Sequence, residues 1–417
     1  MPNLFSGVLC ATALAAFCLL LLSAGQADAA TDSYIDFDRH ATYEDLSSGS
    51  KNGAVVKKLA DGSGMVQLAS SGLNTGTDSS GAYNGGRYYW GSLTSQVYST
   101  STLFDAVVPS WNATTPSGTW LQLEVRVRSG GNWTPWFNMG VWAKGTGDVK
   151  RHSVNGQRSG DWHVLTDTLQ SIGSVFGGAY QYRLKLFTEK QGISPEVRSL
   201  AFTSSDSYRH GDSLGVAADK SIWGRDLQVP ERSQMIYPDG GEVWCSPTSL
   251  SMVMAYWSNK TGNGNLNQTV PTVAHGTYDY VYKGNGNWPF NTAYASAYGL
   301  RASVNRFSSL GQVERWIDRG VPVVASVAWD NRYSGQQLSG APITTTYGHL
   351  LVVRGFTSSG NVIVNDPAAS SNSGVRRVYD RYEFYRAWFQ TGSGGVAYLV
   401  YPKSWRIPDK TDAHGSW

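Results

Sequence analysis

One residue of this chain has the chemistry of a nucleophile in a setting that suits it. Cys245 lies in Gly240-Gly-Glu-Val-Trp-Cys-Ser-Pro-Thr-Ser-Leu-Ser-Met-Val-Met-Ala-Tyr-Trp257. Leu250, Val253, Met254 and Trp257 recur there at the spacing of one helical face, and Pro247 is tolerated only in a first turn. The spacing predicts a helix that opens at Cys245. At such an end the unpaired N–H groups and the positive end of the helix dipole stabilise a thiolate. With an imidazolium beside it, a thiol pKa can fall from about 8.5 to roughly 3.5–7.5. The competing reading is a packed cysteine beside Trp244, but a structural cysteine belongs on the apolar stripe rather than ahead of a proline.

A thiolate nucleophile needs a base, and the base needs a group that orients it. Six of the seven histidines, at 40, 152, 163, 210, 275 and 414, offer no comparable context, most of them lying in polar, loop-like surroundings. His349 differs, because it opens the apolar run His-Leu-Leu-Val-Val-Arg-Gly-Phe356, which reads as a buried strand. A turn at Thr357–Gly360 leads into a second short strand, Asn361–Asn365, which ends at Asp366-Pro367. With the turn centred between Ser358 and Ser359, paired positions sum to 717, and Asp366 then lies diagonally across from His349 on the same face. Diagonal neighbours are about 7–8 Å apart at the backbone, within side-chain reach. A carboxylate there can fix the imidazole tautomer and stabilise the imidazolium. The bland alternative for Asp366 is an Asx turn leading into Pro367.

The elements that must position these groups occupy only part of the chain. Its 417 residues leave room for two or three domains. With 34 Lys plus Arg against 31 Asp plus Glu there is no basic field, so nucleic acid is not an expected partner. Forty-seven glycines, 23 tyrosines and 16 tryptophans beside 16% charged residues predict mostly β structure. Residues 1–29 read as a secretory signal: an apolar run from Val8 to Leu22, then the small-x-small Ala27-Asp28-Ala29. Two of the three cysteines fall inside it, which leaves Cys245 as the single thiol of the mature, secreted chain and excludes an intramolecular disulfide. An uncleaved anchor is the alternative; after cleavage no membrane span is expected.

From 33 to 204 short alternating runs such as Leu121–Arg128 and Tyr180–Leu186 predict a jelly-roll-like β-sandwich. A linker is expected over 205–223, an α+β domain over 224–405 and a loose tail over 406–417. The loop between Asp330 and Tyr347 has no periodic pattern, and loops of that length are usually functional or disordered. It is expected to border the site, with Trp329, Tyr333, Tyr347 and Trp244 shaping a substrate groove. Seven of the sixteen tryptophans, Trp133 and Trp136 among them, lie in the first part. Most are expected in the core, while exposed ones could stack on a cell-wall or surface polysaccharide. No metal or other cofactor is expected, since the histidines are scattered and no His-Glu-x-x-His occurs.

Taken in order, Trp-Cys-Ser-Pro-Thr-Ser-Leu-Ser-Met-Val, Gly-His-Leu-Leu-Val-Val-Arg-Gly-Phe and Val-Asn-Asp-Pro resemble the papain-like cysteine peptidases related to the bacteriocin-leader-processing peptidases, specifically their secreted relatives, over about residues 224–402. The resemblance implies that Cys245 is the nucleophile, His349 the general base and acid, and Asp366 the residue that orients His349. It also implies a role for Gln234, whose amide would join the Cys245 N–H in an oxyanion hole; an ordinary loop glutamine is the alternative. Ser246 stands where the family commonly has glycine, which would add a side chain near the oxyanion site. The double-glycine leader specificity of the transporter-fused members is not implied, because this chain has no transporter helices. The expected function is a secreted cysteine peptidase cleaving peptides or proteins without a cofactor. A thiol amidase or transpeptidase acting on cell-wall peptides is the alternative enzyme, and an inactive carbohydrate- or protein-binding surface protein the alternative without activity. The β-sandwich is expected to be dispensable for chemistry.

Overall fold

The computed structural model describes residues 34–211, 218–409 and 417. The signal segment lies outside the described residues, and no helix among these is long and apolar enough to cross a membrane.

Up to Ser205 the chain builds two eight-stranded antiparallel sheets. The two alternating runs noted above are neighbours in one of them: Leu121 pairs with Leu186, Leu123 with Leu184 and Val125 with Tyr182. Their apolar side chains are buried. On the opposite face Glu124 bridges Arg183 and Lys185, the latter at 2.7 Å. Trp133 and Trp136 are half-buried rather than open, with the Arg126 guanidinium 4.6 Å from each ring centre.

The remainder of the chain packs helices against a six-stranded antiparallel sheet. Its strand order is Leu300–Arg306, Val396–Pro402, Val323–Asp330, Thr345–Phe356, Val362–Asn365 and Arg376–Tyr379. The helix Cys245–Thr261 is buried from Ser246 through Ser258, on more than the single apolar face its sequence shows. Small hydroxyl residues make this possible by satisfying themselves: Ser251 Oγ donates to the Thr248 carbonyl and Ser249 Oγ to the Leu350 carbonyl. The helix is thus enclosed rather than laid on a surface.

The two parts do not meet across a loose joint. One hydrophobic core contains Trp111 and Leu123 together with Val253, Phe290 and Val304. Phe290 sits 5.3 Å from Trp142 and 6.1 Å from Trp111, ring centre to ring centre. Backbone groups cross the junction as well: Asn112 donates to the Ala302 carbonyl and accepts from its N–H. Within the expected linker Ser207 is bonded to Asp105 and the Trp223 indole N–H donates to Glu314. Residues 406–417, expected to be loose, end in Trp417, whose buried ring packs against Phe307 and Trp316. Burying an indole outweighs the polar composition around it.

Candidate active site

Cys245 is the first residue of its helix, and the residue before it, Trp244, offers no side-chain cap to the helix end. The first-turn N–H groups are therefore not claimed by a capping side chain. The strand Thr345–Phe356 runs antiparallel to Val323–Asp330, with His349 paired to Val327, and it presents His349 to the thiol. The hairpin count holds where it matters: Val352 pairs with Asn365 and Val353 with Val364, both summing to 717. A bulge nearer the turn moves the remaining pairs by one.

Asp366 follows directly. Its Oδ1 accepts from His349 Nε2 at 2.8 Å and from the Ala368 N–H at 3.0 Å. With Nε2 so engaged, Nδ1 is the ring nitrogen left for Cys245. The second carboxylate oxygen accepts from the Tyr379 hydroxyl at 2.6 Å. Tyr379 escaped the sequence reading because the nine residues between Asp366 and Arg376 have no pattern from which the third strand's register could be counted. Asn365, the nearest substitute for Asp366, is committed elsewhere, to the carbonyls of Val229 and Pro230 and to Arg354.

The electrostatics follow from these contacts. Burial pushes the Cys245 thiol up, but the hydrogen bond and charge of His349, with the N–H groups of Leu350 and Ser246, outweigh it and bring the thiol below its ordinary value. Burial pulls His349 down, yet the adjacent Asp366 carboxylate and the thiol raise it, to about 10. Burial raises Asp366 as well, and His349 and Tyr379 more than offset it. The favoured state is a thiolate beside an imidazolium. Trp329 covers that pair: its ring meets the His349 ring edge to face at 5.5 Å and is held by a bond from Nε1 to the Ile343 carbonyl. Excluding water there strengthens the attraction between the charges.

Cys245, His349 and Gln234 open on one cavity of about 1180 Å³. Gln234 is buried, with Nε2 donating to the Gly241 carbonyl at 2.7 Å and its second amide hydrogen uncommitted in that bond. This fold of the chain depends on Gly241, where a Cβ would fall 2.1 Å from the Gln234 carbonyl oxygen. Ser246 does not crowd the cavity. Its side chain turns into the sheet and shares a 3.0 Å hydrogen bond with Tyr398, because a residue one step along the helix from Cys245 faces the core.

The expected aromatic groove is only partly assembled. Tyr347, 93% exposed, stands on the cavity wall. Trp244 is buried against Val270, Ala274 and Tyr237, Trp329 is the buried cover of His349, and Tyr333 lies out in solvent beneath the Arg332 guanidinium. The cavity's exposed apolar rim comes instead from Val243, Met235, Tyr282 and, across the junction, Leu165. That last residue belongs to the first part of the chain, and Thr166, Asp167 and Thr168 line the cavity with it. Sequence reasoning missed this wall, since nothing in a short polar turn signals which distant cysteine it will face.

Two family descriptions match the chain: Peptidase C39 N-terminal domain over residues 36–205 and Peptidase_C39 like family over residues 226–396. The matches support a C39-type cysteine peptidase family. The chain accordingly has two domains, an N-terminal one that is mostly β-sheet and a C39-like one that carries Cys245, His349 and Asp366. A search of curated proteins found none that matches. Among solved structures the chain is similar to TmCBM61 in complex with β-1,4-galactotriose, at 12% identity and a TM-score of 0.21 over 42% of this chain and 92% of that one. It is also similar to the catalytic unit of a GH87 α-1,3-glucanase from Streptomyces thermodiastaticus, at 12% identity and a TM-score of 0.17 over 49% of this chain and 31% of that one.

Proposed function

We propose that the protein is a cysteine peptidase whose C39-like domain works as a papain-like α+β hydrolase, with Cys245 as nucleophile, His349 as general base and acid, and Asp366 as its orienter. One observation carries the reading: the thiol at an uncapped helix start contacts a histidine whose far nitrogen is held by a buried carboxylate, with thiol and histidine on the wall of one cavity and the carboxylate behind them.

The chemistry follows from that arrangement. The Cys245 thiolate attacks the scissile carbonyl carbon, and the carbonyl electrons move to oxygen. The Cys245 backbone N–H and the free amide hydrogen of Gln234 receive that oxyanion. The imidazolium of His349 gives its proton to the leaving amine as the C–N bond breaks, which leaves a thioester and a neutral imidazole. His349 then takes a proton from water, the hydroxide attacks the thioester, and the carboxylic acid departs as the thiolate and imidazolium re-form. Asp366 stays ionised throughout.

Activity needs the thiolate and the imidazolium together, so it rises as pH climbs through the lowered thiol value and falls as pH passes the raised His349 value. We read residues 33–204 and 224–405 as the extents of the two domains and residues 1–29 as a secretory signal, the apolar run of that segment supporting export of the mature chain. The test is labelling by iodoacetamide at pH 6. Fast modification of Cys245, with hydrolysis of a peptide library by the same preparation, supports the reading. Labelling that requires denaturant would overturn it.

A further inference from the structure

The N-terminal domain places a carboxyl group on the same cavity wall system as the thiol. Strands Trp162–Leu165 and Thr168–Ser171 pair with Leu165 opposite Thr168, so the connection is the two-residue turn Thr166-Asp167. Thr166 holds a φ of 56°, in the left-handed region where glycine is the usual occupant of such a turn. A β-branched residue rarely adopts that conformation, so the surrounding packing must impose it. The result is that Asp167, itself buried, belongs to the cavity that Cys245, His349 and Gln234 open on. Tyr282 and Tyr398 each feel the charges of both Asp167 and Cys245, which places carboxyl and thiol around the same space.

We propose that Asp167 is a specificity-determining residue that recognises a positively charged group of the substrate, a primary ammonium or a guanidinium, in the cleft between the two domains. The inference rests on the peptidase reading and adds to it a substrate class. Asp167 accepts from the Trp288 N–H at 2.7 Å through Oδ2 and from the Thr168 hydroxyl at 3.1 Å through Oδ1, and among the described residues it forms no ion pair with lysine or arginine. Those two donors leave acceptor capacity on each oxygen. The other titratable groups on the cavity, beside the thiol, His349 and the phenols, are Glu242, Lys283, Arg306 and His210, the last kept toward its neutral form by burial and by Arg306. Arg306 is committed to the carbonyls of Gly394, Asp206 and Arg209, while Glu242 and Lys283 are exposed on the rim. Burial pushes Asp167 up to about 7, against the pull of its Trp288 and Thr168 hydrogen bonds. A carboxyl buried without a counter-charge is a site that a substrate cation completes.

The bond to Trp288 also caps the helix Trp288–Ser296, so a purely structural role is the rival account. Asp167→Asn separates the two, because an amide oxygen still accepts from the Trp288 N–H while the charge is gone. The measurement is kcat/KM at pH 8 on a fluorogenic peptide series in which lysine is exchanged for norleucine at each position flanking the scissile bond. The expected result is a preference for lysine of at least tenfold at one position in the wild-type protein. Asp167→Asn should reduce that preference to within about twofold of unity, by slowing the lysine peptide far more than the norleucine one. Should Asp167→Asn fail to fold, Asp167→Glu keeps the charge and should keep a lysine preference. A wild-type protein that labels and hydrolyses without preferring lysine anywhere overturns this inference and leaves the peptidase reading standing, as does a preference that survives Asp167→Asn. Absence of labelling overturns the peptidase reading, and this inference with it.

Discussion

Each domain buries a histidine in a chain of hydrogen bonds that ends on an aspartate, and the two histidines behave oppositely. In the N-terminal domain His40 Nε2 meets the Tyr180 hydroxyl at 2.9 Å, and Tyr180 donates onward to Asp38 at 2.9 Å. The phenol's one proton is spent on Asp38, so it can only receive the His40 N–H. The ring is packed among Tyr98, Tyr182 and Phe202, and burial lowers its pKa to about 4, with the attraction of Asp45 too weak to prevent it. In the C39-like domain the carboxylate touches the imidazole with no phenol between, and His349 is raised instead. Burial alone makes a neutral, structural histidine. Direct contact with an ionised partner on each side makes one that carries a proton and can pass it on.

The largest effects should separate these two networks. Cys245→Ala and His349→Ala are expected to lower turnover by at least about 10³-fold, while unfolding temperature changes little for Cys245→Ala. Labelling of Cys245 at pH 6 should collapse in His349→Ala. His40→Gln should leave turnover and labelling within about twofold of wild type and lower thermal stability instead. Mass spectrometry of the alkylated protein reads both, and a comparable loss of labelling in His40→Gln would break the comparison.

Removing the N-terminal domain tests the junction between the networks. A chain beginning at Ser221 would bare Phe290 and Val304 and strip partners from Ala302 and from the first turn of the Trp288–Ser296 helix. Losing the burial of Phe290 alone costs about 2–3 kcal/mol, a sizeable share of a domain's stability. The expected outcome is a protein without a cooperative thermal transition by circular dichroism. The sequence-based expectation of a dispensable domain would be restored if that chain melted cooperatively and reacted with iodoacetamide at the full-length rate.

A smaller effect distinguishes the histidines by sign. The pKa of His40 falls from 6.5 in the unfolded chain to about 4 in the folded one. The stability it contributes is complete above pH 6.5 and is lost as pH drops toward 4, by about 3 kcal/mol at the full shift. His349 is raised, so its contribution is complete below pH 6.5 and is lost as pH rises through its folded value. Denaturant midpoints measured from pH 4 to 6.5 should climb steeply in wild type and more gently in His40→Gln. Parallel slopes would show that His40 is not the group responsible.

The differences between what was legible and what was not follow the range of the signals. The thiol's helix, the His349 strand and the Asp366 diagonal are local patterns of spacing, and counting along one hairpin sufficed to bring two of the three groups together. The two β runs of the first part were legible for the same reason, as strict alternation over seven or eight residues. The enclosure of the thiol helix, the turn of Ser246 toward Tyr398, the docking of Trp417 and the arrival of Asp167 at the cavity are consequences of packing between elements far apart in the chain. No short-range periodicity encodes them. Aromatic residues beside the site misled for a related reason: Trp244 adjoins Cys245 in sequence and Trp329 stands just before the loop that leads to His349, but large apolar rings gain more by burial than by lining an open cavity.

The finest test concerns the one hydrogen bond that distinguishes Asp366 from an ordinary buried partner. Tyr379→Phe deletes the hydroxyl that donates to Asp366 Oδ2 and leaves the ring, which stacks on Phe384, in place. A hydrogen bond to a charged group contributes about 1.5–3 kcal/mol, and only the part felt by His349 reaches the reaction. The carboxylate is held below its ordinary value partly by that hydroxyl, which also fixes its position against His349, so without it the imidazole is less firmly oriented for proton transfer. The expected result is a fall in kcat of roughly three- to tenfold with little change in KM. The alkaline limb of the pH profile should move to higher pH, because the carboxylate stays ionised and, no longer shared with the phenol, attracts the imidazolium more strongly. Asp366→Asn, which removes the charge itself, should cost more than Tyr379→Phe in the same assay. A profile whose alkaline limb stays fixed while the protein merely melts earlier would assign Tyr379 to packing alone and leave the Asp366 charge to act on His349 unaided.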